Sequence, residues 1–268
     1  MELIDTHCHL DFPDFKSELD QVIARALTVN VKHMITIGID PASSAQAIEL
    51  SRQYDCISAT VGHHPHEASS LTNQDLESLK ILAAEPEVVA FGEIGLDFYR
   101  DLSPRLIQRT RFDDLINIAL DLRLPLIIHD RDAHQEVLEH LTTAKNRLAG
   151  GIIHCYSGDY QQAIKFLDLG FLISIPGTVT FPKAAVIRDV VARLPLDVLL
   201  VETDAPFLAP VPRRGKRNEP AWVLLTAQEI AAIKKVPLAE VAEVTTANAR
   251  RIFKLSATNH TESSASKE

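Results

Sequence analysis

Eight short apolar runs recur along this chain, and the segments between them carry their apolar residues at helical spacing. The runs are Leu3–His9, Lys32–Ile39, Ile57–His63, Val88–Gly95, Leu124–His129, Gly151–Tyr156, Phe171–Ile175 and Val198–Asp204. Runs this short and this apolar are what parallel strands buried on both faces require. Between them, Leu19, Val22, Ile23, Ala26 and Leu27 form one helical stripe, and Leu106, Phe112, Leu115, Ile118, Ala119 and Leu122 form another. Ser103 before Pro104, and Asn218 ahead of Glu219-Pro220, read as helix N-caps with proline in the first turn. Leu124-Pro125 and Leu194-Pro195 sit where a helix hands over to a strand, and Pro237 opens a last helix reaching about Phe253. Eight strands with helices after each predict an α/β fold of the (β/α)8 TIM-barrel type.

Five of the runs end in residues that bind metal. Leu3-Ile4 leads into His7 and His9, Val88–Phe91 into Glu93, Leu124–Ile128 into His129, Gly151–Ile153 into His154, and Val198–Val201 into Glu202 and Asp204. A doubly wound open sheet would gather its ligands at one switch crevice. Ligands on strands one, four, five, six and eight meet only if the strands close into a ring, whose C-terminal rim then carries the site.

At 268 residues and 46% hydrophobic, the chain can bury one large core, and an α/β barrel of about 250 residues is usually one domain. Residues 1–255 are expected to form that domain, and the polar, aperiodic stretch 256–268 a disordered tail. No apolar run approaches the roughly 18 residues of a membrane span, and the start Met-Glu-Leu-Ile-Asp resembles no signal peptide. Three cysteines, at 8, 56 and 155, match no disulfide or zinc-ribbon spacing, so free thiols and a cytoplasmic location are expected. A net charge of −9 argues against nonspecific coating of nucleic acid, but not against a nuclease that grips a few phosphates.

His7 and His9, two apart on a strand, share a face and can reach one ion; Cys8 between them then faces the helices. Small buried cysteine is the expected reading for Cys8 and Cys155 alike. Asp5, on the histidines' face, is a candidate to buttress a ligand. Glu93 is costly to bury unpaired and needs a cation; an arginine would serve, but a carboxylate midway round the ring can also bridge two metals. Asp97 reads as a loop or helix cap. His129 or His154 alone could be a satisfied core histidine, but two at equivalent strand ends beside His7 and His9 point to ligation. Asp204, ending the last strand, can bind metal and accept a proton from the attacking water; Glu202, one pleat deeper, suits a supporting contact.

Asp5-Thr6-His7-Cys8-His9, the block Gly92–Asp97, His154-Cys155-Tyr156-Ser157-Gly158 and Glu202-Thr203-Asp204-Ala205-Pro206 resemble, in order, the signatures of TatD-related metal-dependent deoxyribonucleases, which are amidohydrolase-type barrels. The resemblance runs from Asp5 to about Phe253. It implies one metal on His7, His9, Glu93 and Asp204, and a second on Glu93, His129 and His154. It also implies a functional histidine before proline after strand three, which falls on His64 in Gly62-His63-His64-Pro65-His66; His63 is a departure, since leucine is common there. It further implies phosphodiester hydrolysis in DNA, with RNA as a second substrate, by exonuclease or endonuclease action, exonuclease being the expected mode, with magnesium or manganese. The histidine-rich set would suit zinc equally.

A basic loop, Pro212 to Pro220, follows strand eight and so lies on the metal-bearing rim. On that placement Arg213, Arg214 and Arg217 are expected to clamp phosphates, with Arg131, Tyr156 and Lys183 as further contacts from neighbouring loops. Catalytic roles then fall to Asp204, Glu93 and His64. No protein partner is called for, and a monomer is expected. The competing reading is an amidohydrolase acting on a small amide, lactone or phosphoester. Many such barrels carry a modified lysine after strand four, where this chain has Glu93. A metal-stabilised binding protein without turnover is the second competitor.

Overall fold

The structure, a computed structural model, describes residues 1–255; the expected tail, 256–268, lies outside the described residues. Eight parallel strands follow chain order within one sheet: β1 (Leu3–Cys8), β2 (Val31–Thr36), β3 (Ile57–Val61), β4 (Val88–Asp97), β5 (Leu126–Arg131), β6 (Gly151–Ile153), β7 (Phe171–Ile175) and β8 (Leu199–Val201). The helices α1 (Leu19–Thr28), α2 (Pro41–Gln53), α3 (Asn73–Leu82), α4 (Arg105–Leu122), α5 (His134–Thr143), α6 (Tyr160–Leu167) and α7 (Ala185–Arg193) connect them, and α8 (Val223–Lys234) and α9 (Leu238–Phe253) follow β8. Beyond β8 the ring closes on β1 through short backbone bonds: Asp204 N–H donates to the His7 carbonyl and His9 N–H to that of Ala205, both at 2.8 Å. This is the (β/α)8 barrel. No described helix is long and apolar enough to cross a membrane.

Strand alternation splits the core in two. Outward-facing residues such as Leu3, Met34, Phe91 and Ile128 pack against the helices. Inward-facing Ile4, Ile35, Ile127, Ile152, Leu172 and Leu200 fill the barrel and meet Ala249 and Phe253 of α9. That helix therefore stoppers the N-terminal end of the barrel. Asn248 donates to the carbonyls of Leu196 and Leu199, and Thr246 to that of Glu2, fixing the stopper to β8 and β1.

Several local expectations change. β8 and β6 stop three residues short of their apolar runs, because the chain turns at Glu202 and at His154 to aim side chains over the rim. Leu27 and Leu106 are exposed rather than part of the helical stripes. Ser103 does not cap α4: its buried hydroxyl accepts from Ser69 N–H and donates to the His66 carbonyl, tying two rim loops together. Asn218 likewise is a strut, its amide donating to the carbonyls of Thr203 and Phe207.

Candidate metal centre

The C-terminal mouth of the barrel holds a cavity of about 450 Å³, with His9, Glu93, His129, His154 and Asp204 in its wall and His7 wholly buried beneath them. A pairing irregularity between Asp5 and Cys8 resets the alternation of β1. His7 and His9 reach the site, while Cys8 turns outward to donate its thiol proton to the Ile35 carbonyl. The reset also removes Asp5 from the histidines' side. Its carboxyl accepts from Thr203 N–H and O–H, binding β1 to the turn after β8, and burial raises its pKa to about 8. Asp5 closes the ring and also accepts His7 N–H at 3.4 Å, so it supports that ligand through its backbone rather than its imidazole.

Glu93 is central. Oε2 lies 3.4 Å from His7 Nε2, while Oε1 lies 2.7 Å from His129 Nδ1 and 3.5 Å from His154 Nε2. Its position depends on two glycines in left-handed backbone. A Cβ at Gly92 would run into the main chain of Ile127, and one at Gly95 into that of His129. Asp204 sits 3.5 Å from His9 Nε2 and 3.8 Å from His7 Nε2. It is itself left-handed, a conformation aspartate tolerates better than most residues.

Around these six, further carboxylates orient the rings. Asp97 accepts from His129 Nε2 at 3.1 Å and from His66 Nε2 at 2.7 Å, while its other oxygen accepts Tyr99 and Arg100 N–H. It is the loop cap expected and, beyond that, the group that turns Nδ1 of His129 toward Glu93. Glu202 Oε1 stands 3.0 Å from His154 Nδ1, out of line for a good hydrogen bond, and accepts Cys155 N–H at 2.7 Å.

The electrostatics ask for positive charge. Burial alone would raise Glu93, yet the imidazoles around it hold it well below the usual carboxylate range. Burial alone would lower His129 and His154, yet Asp97 and Glu93 raise the first to about 9, and Glu202 and Glu93 the second to about 10. His7 is the exception: burial and the neighbouring His154, stacked at 3.4 Å, push it down. Both nitrogens of His7 and Nδ1 of His9 are buried without a hydrogen-bond partner. Unpartnered imidazole nitrogens facing buried carboxylates are costly, and a divalent cation satisfies both. The donor set fits metal.

His64 stands beside the cluster. Its Nδ1 accepts from His66 N–H at 3.2 Å, which leaves the proton of the neutral ring on Nε2, 3.2 Å from His129 Nδ1 and 3.6 Å from Glu93 Oε1. Burial, the largest influence, lowers its pKa to about 4. His63 turns away, its Nε2 bonded to the Glu67 carbonyl, so His64 is the histidine of that motif nearest the six.

The expected substrate contacts fare unevenly. Arg131 lines the cavity. Tyr156 does not: it is buried, donating its hydroxyl proton to the Asp159 carbonyl and packing edge-on to Phe166. Arg213 and Arg214 lie over the rings of Trp222 and Phe181, and Arg217 pairs with Glu18 over Phe15. None of the three lines the cavity, nor does Lys183. Arg213 and Arg214 are exposed and pair with no carboxylate of the described residues, so their guanidinium donors face solvent outside the cavity, whereas Arg217 is engaged by Glu18 and the Asp14 carbonyl. Sequence reasoning missed Arg100, His66 and Cys155, all in the cavity wall. His66 had a signal, standing two residues after His64 as His9 stands to His7. Cys155 departs from the buried-cysteine expectation because its left-handed backbone turns it into the wall.

A family model described as TatD related DNase matches residues 4–254. The uncharacterised metal-dependent hydrolase YabD of Bacillus subtilis is 41% identical over 253 residues, covering 94% of this chain and 99% of that protein. The 3′-5′ ssDNA/RNA exonuclease TatD of Salmonella typhimurium is 36% identical, covering 94% and 99%. Among solved structures, the TatD homologue YjjV of Escherichia coli superposes with a TM-score of 0.90 at 33% identity, over 95% of this chain and 98% of that one. An organophosphorus hydrolase from Deinococcus radiodurans, at 13% identity and a TM-score of 0.62, shares the fold alone. This chain belongs to the TatD-related DNase family and is a metal-dependent hydrolase.

Proposed function

We propose that this protein hydrolyses phosphodiester bonds of DNA, with RNA as a second substrate, at a centre built for two divalent ions. The observation that carries the reading is the convergence of four imidazoles and two carboxylates on one buried floor, with the two Glu93 oxygens facing different partners. His7, His9, Asp204 and Glu93 would hold one ion; His129, His154 and Glu93 would hold the other. Bound ions supply Lewis acidity, polarising the phosphoryl oxygens and making water nucleophilic near neutral pH. Magnesium or manganese is the working ion of this reading, and zinc suits the same donors.

The chain's own groups do the rest. Asp204 accepts the proton of the attacking water; the surrounding histidines keep its carboxyl ionised against the effect of burial. His64, with its proton on Nε2, donates to a nonbridging oxygen. Arg100 and Arg131 hold the phosphates of the strand. Relatives named as ssDNA/RNA exonucleases support a nucleic-acid substrate and exonuclease action. The three unpaired cysteines support a reducing, cytoplasmic setting.

Incubating the purified protein with end-labelled single-stranded DNA in Mg²⁺, Mn²⁺ or Zn²⁺ is expected to yield a ladder of shortened products that EDTA abolishes. An intact strand in all three metals, alongside hydrolysis of a neutral lactone, would replace the nuclease reading with the small-molecule one.

A further inference from the structure

The loops walling the cavity carry aromatic rings that the metal centre does not use. On one bank, Phe12 stacks on His9 with ring centres 4.8 Å apart and meets Phe207 edge-on at 5.9 Å. An aromatic wall thus climbs from a floor histidine to solvent, where Phe207 is 49% exposed. On the other bank Tyr99 is 61% exposed, with the guanidinium of Arg131 5.2 Å and that of Arg100 6.0 Å from its ring centre. One exposed aromatic is ordinary. Two at the mouth of one cavity, one of them beside two cations, are not explained by packing, since both rings keep about half or more of their surface open to solvent.

A ligand with flat π faces joined by anionic links matches that arrangement. The floor is deep: His7, Glu93 and His154 are all buried. A cavity of about 450 Å³ lies in the small-molecule range and admits a nucleotide unit rather than a base pair. A phosphate brought down to the floor must therefore leave its neighbouring bases unpaired and unstacked at the mouth. Aromatic rings there would restore the stacking those bases lose, for every base alike.

We propose that Tyr99 and Phe207 stack the unpaired bases flanking the scissile phosphate, so that cleavage depends on the flat faces of those bases and not on their sequence. This rests on the nuclease reading above. Arg100 and Arg131, beside Tyr99, hold the phosphates next to the stacked bases.

The test compares kcat/KM for oligothymidylate with that for the same oligomer carrying 5,6-dihydrothymidine, which keeps the hydrogen-bonding edge of the base but lacks its flat aromatic ring. In the Mn²⁺-loaded protein, wild type and Tyr99→Phe are expected to favour the aromatic oligomer by about fivefold or more. In the double variant Tyr99→Ala, Phe207→Ala that ratio should fall to about one, with oligothymidylate cleavage down by roughly 5- to 100-fold. Because each ratio is internal to one protein, partial misfolding of a variant cancels. A ratio unchanged in the double variant, or near one in wild type, overturns the stacking proposal and leaves the nuclease reading standing. Wild type that cleaves neither oligomer overturns both.

Discussion

Asp97 divides its oxygens between a loop and a ring: one takes the backbone N–H groups of Tyr99 and Arg100, the other the imidazoles of His66 and His129. Only the second set governs which nitrogen of His129 faces Glu93. Asp97→Asn preserves shape but replaces one acceptor with a donor and removes the charge. The metal concentration for half-maximal activity is expected to rise about 10- to 100-fold, and an unchanged midpoint would show that His129 needs no such partner. At this scale, legibility followed locality. His7, His9, Glu93, His129, His154 and Asp204 stand at the ends of apolar runs, so register alone brings them together. Arg100 and Tyr99 lie in a loop with no periodicity to read. Arg213, Arg214 and Arg217 were legible as a basic loop after strand eight, but that they stand outside the cavity, over Trp222, Phe181 and Phe15, depends on contacts no local pattern shows.

At the scale of elements, the barrel's two ends do different work. Phe253 and Ala249 of α9 pack on the inward-facing residues at the N-terminal end and close it. His33 on β2 is caught in that end, bonded to Ser58 at 2.8 Å. Burial first, and the nearby Arg250 of α9 second, push its pKa down to about 4. An unfolded chain takes up that proton near pH 6.5, whereas the folded one resists until about pH 4, so unfolding gains as the pH falls. Stability owed to neutral His33 is fully present above pH 6.5 and is lost on acidification towards pH 4, by roughly 2–3 kcal/mol. Urea midpoints of wild type and His33→Gln across this range should show a shallower pH slope in the variant; parallel slopes would mean His33 titrates freely in the fold. The strands themselves were legible as short apolar runs. Their ends were not, because the departures at Glu202 and His154 and the irregularity in β1 answer to the rim and to ring closure rather than to hydropathy.

For the molecule as a whole, closure is the property on which function depends. Ligands separated by up to about two hundred positions become neighbours only because β8 returns to β1, and Asp5 with Thr203, Asp204 with His7 and His9 with Ala205 seal that seam. The ring count and the distribution of ligands around it were readable in the chain. The depth of the floor and the aromatic mouth were not, since both arise from how separate loops stand relative to each other. The most direct test of the central claim is cleavage of end-labelled single-stranded DNA by wild type and by Asp204→Asn, purified in parallel and loaded with Mn²⁺. Wild type should produce a metal-dependent product ladder, and the variant should be slower by at least about 100-fold. Equal cleavage by the two proteins, or cleavage by wild type that survives EDTA, would contradict the account.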